Sequence, residues 1–544
     1  MTSPVVPTKT PSKSEVRAPT TANNATWTLV HVHTPSRAPS EVNHPPPSQV
    51  SNPSKYPDTS NLASSVHIWA MGINTVLGCQ FYGWNSALAH GFVPYMVAQS
   101  VVGATYIVYI ASIAEVGGKV PGGSYGLARA VIGFYPGFLL ACLEVFEYVA
   151  QSSLSVFYVG EFLTTTFEWS SAVQPVVWLV VYAALNWMLH MRLKIVFRFM
   201  VAYAIGGLLV PAFLFLGGAL PHTDFTTYAG ARTSNNLTEW SVGTFDANVL
   251  ATLPLVTNVF SGVESLTIVT GFAKDPAISI PRGSVLAIWT LVLLNVPMVF
   301  TVASLPPGLY ATANATFVLD TGYQLGLGVS PTLAEWLILP SQLGIAFGYM
   351  IPYARLTQAM ADSKLLPGCL CLQGQRTTTR AMLIASALGY LLCLVSFLSP
   401  AFLASLLNQS LLAASTVYMA LTYGFVLLRT SYKVESTRYN SPYGLFGAAF
   451  VWIVNSLVVI SILGYQNDQG LAAACVFGYV VLCSLYYVRY CKASQTVSDE
   501  EYASVLKFSI MKFNKQRRKK TQRAKGVHHT VASTCEYLTK MLRK

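Results

Sequence analysis

The stretch Gly78-Cys79-Gln80-Phe81-Tyr82-Gly83-Trp84-Asn85 interrupts an apolar run over residues 66–89. A run of roughly 20 residues is what a helix needs to cross about 30 Å of hydrocarbon. Here two glycines and three polar residues break its middle. Backbone without helical hydrogen bonds is tolerated at membrane depth only where it faces protein or lines a cavity. The stretch therefore predicts a membrane span whose interrupted backbone serves a site.

Further apolar runs follow at 95–117, 136–163, 174–192, 195–219, 249–272, 283–306, 334–358, 381–399, 402–427, 445–465 and 470–490. Together they predict an all-α polytopic membrane protein of about twelve spans. Composition agrees: 53% of the 544 residues are hydrophobic and 10% charged, against roughly 25% charged in soluble domains. The net charge of +12 does not point to nucleic acid, because the basic residues sit in tails and in loops flanking the spans. Between residues 65 and 490, every Lys and Arg except Arg232 falls on one predicted side. Such a bias fixes orientation with the basic side in the cytoplasm, and a missed or extra span would destroy it. Both termini are thus expected inside.

The predicted organisation is a disordered cytoplasmic tail at 1–65, rich in Pro, Ser, Thr and Asn, a transmembrane domain at 66–490, and a basic cytoplasmic tail at 491–544. No signal peptide is recognisable near the start. The basic cluster at 515–525 is suited either to anionic lipid head groups or simply to holding the topology. Asn236 and Asn314 open Asn-X-Thr sequons in predicted external loops and are glycosylation candidates. The nine cysteines lie in no predicted external loop, so neither a disulfide framework nor a disulfide-linked heavy chain is expected. Most are read as small buried hydrophobes, and Cys491 is also a palmitoylation candidate. Neither metal-ligand spacing nor a phosphate-binding loop or nucleophile–base signature is present, so no metal, cofactor or enzymatic activity is expected.

A second interruption, Asn258-Val259-Phe260-Ser261-Gly262-Val263-Glu264 after Pro254, lies in the sixth span. Spans 1 and 6 hold corresponding places in two five-span halves, and matched interruptions of this kind point to a binding site in a transporter of inverted repeats. Glycine alone also fits close helix packing. Its conjunction with Gln80 and Glu264 favours a site. Ionisable groups inside spans are costly and usually functional. Here they are acidic: Glu144 and Glu147 share a face of span 3, and Glu264 follows the break in span 6. No Lys or Arg is placed mid-span. Such a site suits a ligand with an ammonium group, and a carboxyl shielded from water can carry a proton. The alternative for Glu144 or Glu147 is a hydrogen bond to a neighbouring helix.

At this point the residues resemble the amino acid–polyamine–organocation superfamily, and its ethanolamine-permease branch in particular. The resemblance rests on Gln80-Phe81-Tyr82-Gly83-Trp84-Asn85 in span 1 and on Ala114-Glu115 followed by Pro121-Gly122-Gly123-Ser124-Tyr125-Gly126 and Ala128-Arg129. It extends to Glu147-Tyr148, to Gly262-Val263-Glu264 with Lys274-Asp275-Pro276 and Ile280-Pro281-Arg282-Gly283, and to Arg355, Met360, Ala361 and Leu366-Pro367. Where the branch carries Ser-Gly-Glu, this chain has Gly78-Cys79-Gln80, one charge fewer.

The resemblance implies a five-plus-five inverted-repeat core with broken helices 1 and 6, two extra helices, and a substrate site between spans 1, 3, 6, 8 and 10. The expected substrate contacts are Gly78, Cys79, Gln80, Phe81, Gly83, Glu147, Tyr148, Phe260, Ser261, Gly262 and Glu264. The proton-coupling candidates are Glu144, Glu147 and Glu264. The function implied is secondary transport, by alternating access, of a small amine or amino acid such as ethanolamine or a neutral amino acid, coupled to protons or sodium, in the plasma membrane. The alternative is a nutrient sensor that binds the same ligands and transports little.

Overall fold

A computed structural model of the chain describes residues 63–517 apart from 121, 233–237, 242–243, 368–374, 434–437, 499–500 and 503. The N-terminal tail, Asn236 and most of the basic cluster lie outside the described residues.

Eleven helices among the described residues are long and apolar enough to cross a membrane. They occupy the predicted places of spans 2 to 12: Phe92–Lys119, Phe134–Thr166, Ser171–Leu189, Leu193–His222, Phe245–Phe272, Pro276–Ala303, Pro331–Asp362, Thr379–Leu398, Pro400–Tyr432, Gly444–Gly464 and Leu471–Ser494. The first span does not form one such helix because it is broken. Its α-helical part, Ser65–Val76, passes into a 3-10 turn at Leu77–Gln80, and a second 3-10 segment runs from Asn85 to His90. The protein is thus an all-α polytopic membrane protein, with a two-stranded ribbon pairing Ala231–Arg232 with Thr238–Glu239 in the loop after span 5.

The breaks have local causes. In span 6, Pro254 sits inside the helix Phe245–Asn258, and the chain resumes as a 3-10 helix at Val263–Phe272. Proline removes a backbone donor from the ladder. Gly262 between them has φ +115°, and a Cβ there would collide with the Tyr349 hydroxyl. Only glycine meets both conditions. In span 1, a Cβ on Gly78 would run into the Ser341 carbonyl oxygen of span 8, so a small residue lets the two backbones approach.

The two broken spans are tied together at one end of the bundle. The Ala63 N–H donates to the Phe272 carbonyl (2.7 Å) and the Lys274 N–H to the Ala63 carbonyl (2.9 Å). The same end carries Glu115, which accepts from Lys119 Nζ (2.7 Å), Arg429 Nη2 (2.5 Å) and the Ser441 N–H (2.6 Å).

The C-terminal segment also packs at this end. Arg129 Nε and Glu501 Oε1 stand 2.9 Å apart with side chains 0% and 2% exposed, an ion pair that is not aligned as a hydrogen bond. The Arg129 Nη2 donates to the Thr496 carbonyl (2.9 Å), and Ser363 Oγ donates to Glu501 Oε2 (2.9 Å). Residues 504–517 are helical, and Phe508 packs against Tyr432 with ring centres 5.1 Å apart. Cys491 is buried, its thiol donating to the Leu365 carbonyl at 3.2 Å. The lipidation reading of Cys491 is corrected accordingly, since a thiol packed against backbone does not present itself to an acyl chain.

Candidate functional site

The break in span 6 presents its side chains to span 3. Ser261 Oγ donates to Glu147 Oε1 at 3.0 Å, and the Tyr418 hydroxyl of span 10 donates to the same oxygen at 2.8 Å. Ser261 Oγ and the Tyr418 hydroxyl are themselves 2.9 Å apart. Glu264 folds back on its own turn, its Oε2 accepting from the Gly262 N–H at 3.0 Å. The Tyr349 hydroxyl of span 8 donates to the Ser261 carbonyl at 3.0 Å, and its ring stacks on Tyr148 at 5.6 Å. Spans 3, 6, 8 and 10 therefore meet at one unwound turn.

Glu144, Glu147 and Glu264 are each no more than 2% exposed. Each leaves one carboxyl oxygen buried without a hydrogen-bond partner. Both Glu144 and Glu147 lie within charge–charge range of Glu264. Among the described residues, the side-chain and backbone donors to Glu147 and Glu264 are two hydroxyls and the Gly262 N–H, and none of the three carboxyls forms an ion pair with Lys or Arg. Buried polar atoms are normally satisfied, so the orphaned oxygens mark a place where a donor belongs.

The other expected contacts surround this centre unevenly. Phe260 is buried against Tyr106, ring centres 5.9 Å apart. Cys79 and Phe81 are buried in the core. Gln80 turns instead to span 7, where its Nε2 donates to the Leu291 carbonyl at 3.0 Å. Gly83 lies next to Tyr82, which borders a cavity toward the opposite end from the C-terminal segment. Asn314, in the loop after span 7, is exposed, with Nδ2 donating to the Tyr310 carbonyl at 3.2 Å.

Sequence reasoning did not single out Tyr349 or Tyr418. The resemblance pointed to spans 8 and 10, but mid-span tyrosines are common in this chain and carry no local mark. A second polar bridge was also missed. Gln151 Nε2 of span 3 donates to Asn258 Oδ1 (2.9 Å) and to Ser410 Oγ of span 10 (3.2 Å). A buried glutamine one turn beyond Glu147 on the same helix face was the available signal.

With this geometry in view, a family model for amino acid permeases matches residues 68–501. The chain belongs to the amino acid permease family. It is 23% identical over 448 residues to an uncharacterised transporter of Rhizobium meliloti (strain 1021), which covers 78% of this chain and 91% of the relative. It is 22% identical over 447 residues to a probable GABA permease of Pseudomonas aeruginosa, with the same coverage of 78% and 91%. The permease is accordingly an integral, multi-pass membrane transporter of the amino acid class, in a family of transporters rather than enzymes.

Proposed function

We propose that this permease carries a small ammonium-bearing solute, ethanolamine or a neutral amino acid, by alternating access, and that Glu147, Ser261 and Glu264 hold its ammonium group. One observation carries the reading: three buried carboxyl groups around the unwound turn of span 6, each with an oxygen lacking a donor and, among the described residues, none in an ion pair with Lys or Arg. An ammonium group supplies up to three donors and one positive charge, which is what such a cluster lacks. The relative named for GABA, a zwitterion with a primary ammonium, belongs to the same chemical class.

In this reading the free end of the solute, hydroxyl or carboxylate, meets the interrupted backbone at 78–83, where a half-helix end offers N–H donors. Tyr148, Tyr349 and Phe260 close around the ligand. Glu144 lies one turn below Glu147 on span 3 and passes a proton to or from the cluster as the ligand leaves. The end carrying the C-terminal segment faces the cytoplasm, in keeping with the positive residues gathered there, and the other end opens outward at the plasma membrane.

The test is uptake of labelled ethanolamine and of labelled GABA into proteoliposomes of the full chain. An inward proton gradient, an inward sodium gradient and no gradient are compared. Uptake is expected to rise with the proton gradient. Glu264→Gln is expected to lower it by at least tenfold and to erase the gradient response, because a neutral amide neither balances the ammonium charge nor carries a proton. Uptake in Glu264→Gln that keeps its rate and its gradient response would overturn the assignment. Stimulation by sodium alone would remove the proton role from the three carboxyls.

A further inference from the structure

A cavity of about 530 Å³ opens at the end of the bundle away from the C-terminal segment, lined by parts of spans 1, 3 and 8 and of the loop after span 7. Its volume is that of a small-molecule site. Three carboxyl groups border it, Glu161, Asp320 and Glu335, and none of the lining residues is Lys, Arg or His. Its walls are aromatic. Tyr82 stands 4.7 Å from Tyr158 and 6.3 Å from Phe317 between ring centres, and Phe317 stands 5.8 Å from Phe162.

An acidic rim alone would only attract counter-ions, but two further atoms point to a bound molecule. Gln342, 6% exposed, lines the cavity and its Nε2 has no hydrogen-bond partner. Asp320 Oδ2 accepts from Gln324 Nε2 at 2.7 Å, and its Oδ1 is left buried and unpartnered. The two residues that carry this orphaned donor and this orphaned acceptor line the same space. Among the described residues no three acidic, His or Cys side chains converge closely enough to hold a metal ion, and π faces favour an organic cation over a hydrated one.

We propose that this vestibule is a second binding site, specific for an organic ammonium that also carries an oxygen. The cationic end sits against Tyr82, Tyr158 and Phe317 near Asp320 and Glu335, and the Gln342 amide donates to the ligand's oxygen. The site is separate from the central cluster. Glu161 and Glu147 lie on the same helix of span 3, about 21 Å apart along its axis at 1.5 Å per residue. The inference rests on the central reading only for the class of solute. It adds an outer station where the solute is captured before it reaches spans 3, 6 and 10.

The test is equilibrium binding of labelled choline, a quaternary ammonium with one hydroxyl, to the purified full-length permease in detergent. Saturable binding is expected. The double variant Asp320→Asn/Glu335→Gln should weaken it at least tenfold, and Gln342→Leu severalfold. Asp275→Asn, which removes an exposed carboxylate at the other end of the bundle, should leave it within twofold. None of the vestibule carboxyls is fully buried, so the amide variants keep the fold, and Glu161→Gln at an exposed position serves as a further charge-removing variant with the same expected direction. No saturable binding by the unsubstituted protein overturns the proposal. So does binding that survives the vestibule variants and disappears in Glu264→Gln. Failure of the central reading has a different signature, Glu264→Gln keeping gradient-driven uptake.

Discussion

The two ends of this bundle treat charge in opposite ways. At the end that holds the C-terminal segment, acidic side chains have basic partners: Glu501 with Arg129, Glu115 with Lys119 and Arg429, Asp275 with Arg438. At the other end Glu161, Asp320 and Glu335 ring a cavity that no Lys or Arg lines. Paired charges bind helices to one another and spend their field locally. Unpaired ones project it outward and raise the local concentration of cations. In the proposed mechanism one end is the closure and the other the entrance, although both are made from the same few residue types.

The closure breaks most severely at its most buried pair. Removing one partner of a buried ion pair leaves an uncompensated charge at a cost of about 3–5 kcal/mol. Because Glu501 lies in a segment beyond the last span, the loss should appear as release of that segment rather than as global unfolding. Glu501→Ala is expected to raise limited proteolysis of residues 496–517 by about a hundredfold or more. The paired apolar variant Arg129→Met/Glu501→Met should recover most of the protection. Equal protease sensitivity in Glu501→Ala and the unsubstituted chain would show that the pair does not hold the segment.

Glu115 offers a graded version of the same test. Its side chain is 3% exposed while that of Arg429 is 24% exposed, and Lys119 and the Ser441 N–H remain as donors when Arg429 is removed. Arg429→Ala is expected to destabilise by about 1–3 kcal/mol, the range for a lost charged hydrogen bond with partial compensation. The apparent melting temperature of the detergent-purified protein measures it. Glu115→Ala should cost more than Arg429→Ala, since it removes the carboxylate that Lys119, Arg429 and the Ser441 N–H share.

Much of this architecture can be read in the sequence, and the unreadable parts have a common cause. Spans 2 to 12 follow from apolar length, and the breaks follow from Gly78, Pro254 and Gly262, because these are local properties. Ser261, Gly262 and Glu264 reach one another for the same reason. Tyr418 meets Glu147 across 271 residues of chain, and no periodicity encodes that meeting. The partnership of Glu501 with Arg129 is equally hidden, since the two lie far apart in the chain and no local pattern joins them. Gln80 was expected beside the carboxyl cluster and faces span 7. The helix tightens to a 3-10 turn at Leu77–Gln80, which rotates every following side chain away from the position that 3.6 residues per turn would give.

At the entrance the expected effects are kinetic and smaller. Glu161 is exposed and Glu335 half-buried, and among the described residues neither takes part in an ion pair that holds helices together. Glu161→Gln/Glu335→Gln should leave the melting temperature unchanged and raise the KM for a cationic substrate about threefold at low ionic strength. The difference should shrink toward onefold in 0.5 M salt, where the Debye length falls to about 4 Å. An equal loss for a neutral competitor would mean that the carboxyls shape the cavity rather than draw cations to it.

The smallest effect belongs to the pair that looks most like the others on paper. Arg438 Nη1 lies 2.7 Å from Asp275 Oδ2, the same length as Lys119 to Glu115, but the two side chains are 55% and 42% exposed. Water competes for both partners, salt screens them, and two side chains must be held in place to gain one contact. Asp275→Asn is expected to change stability by no more than about 0.5 kcal/mol and to leave both the protease protection of residues 496–517 and the KM untouched. A loss comparable to that of Glu501→Ala would mean that distance, not burial, ranks the charges of the closed end. The contrast between its ends would then have to be rebuilt on geometry alone.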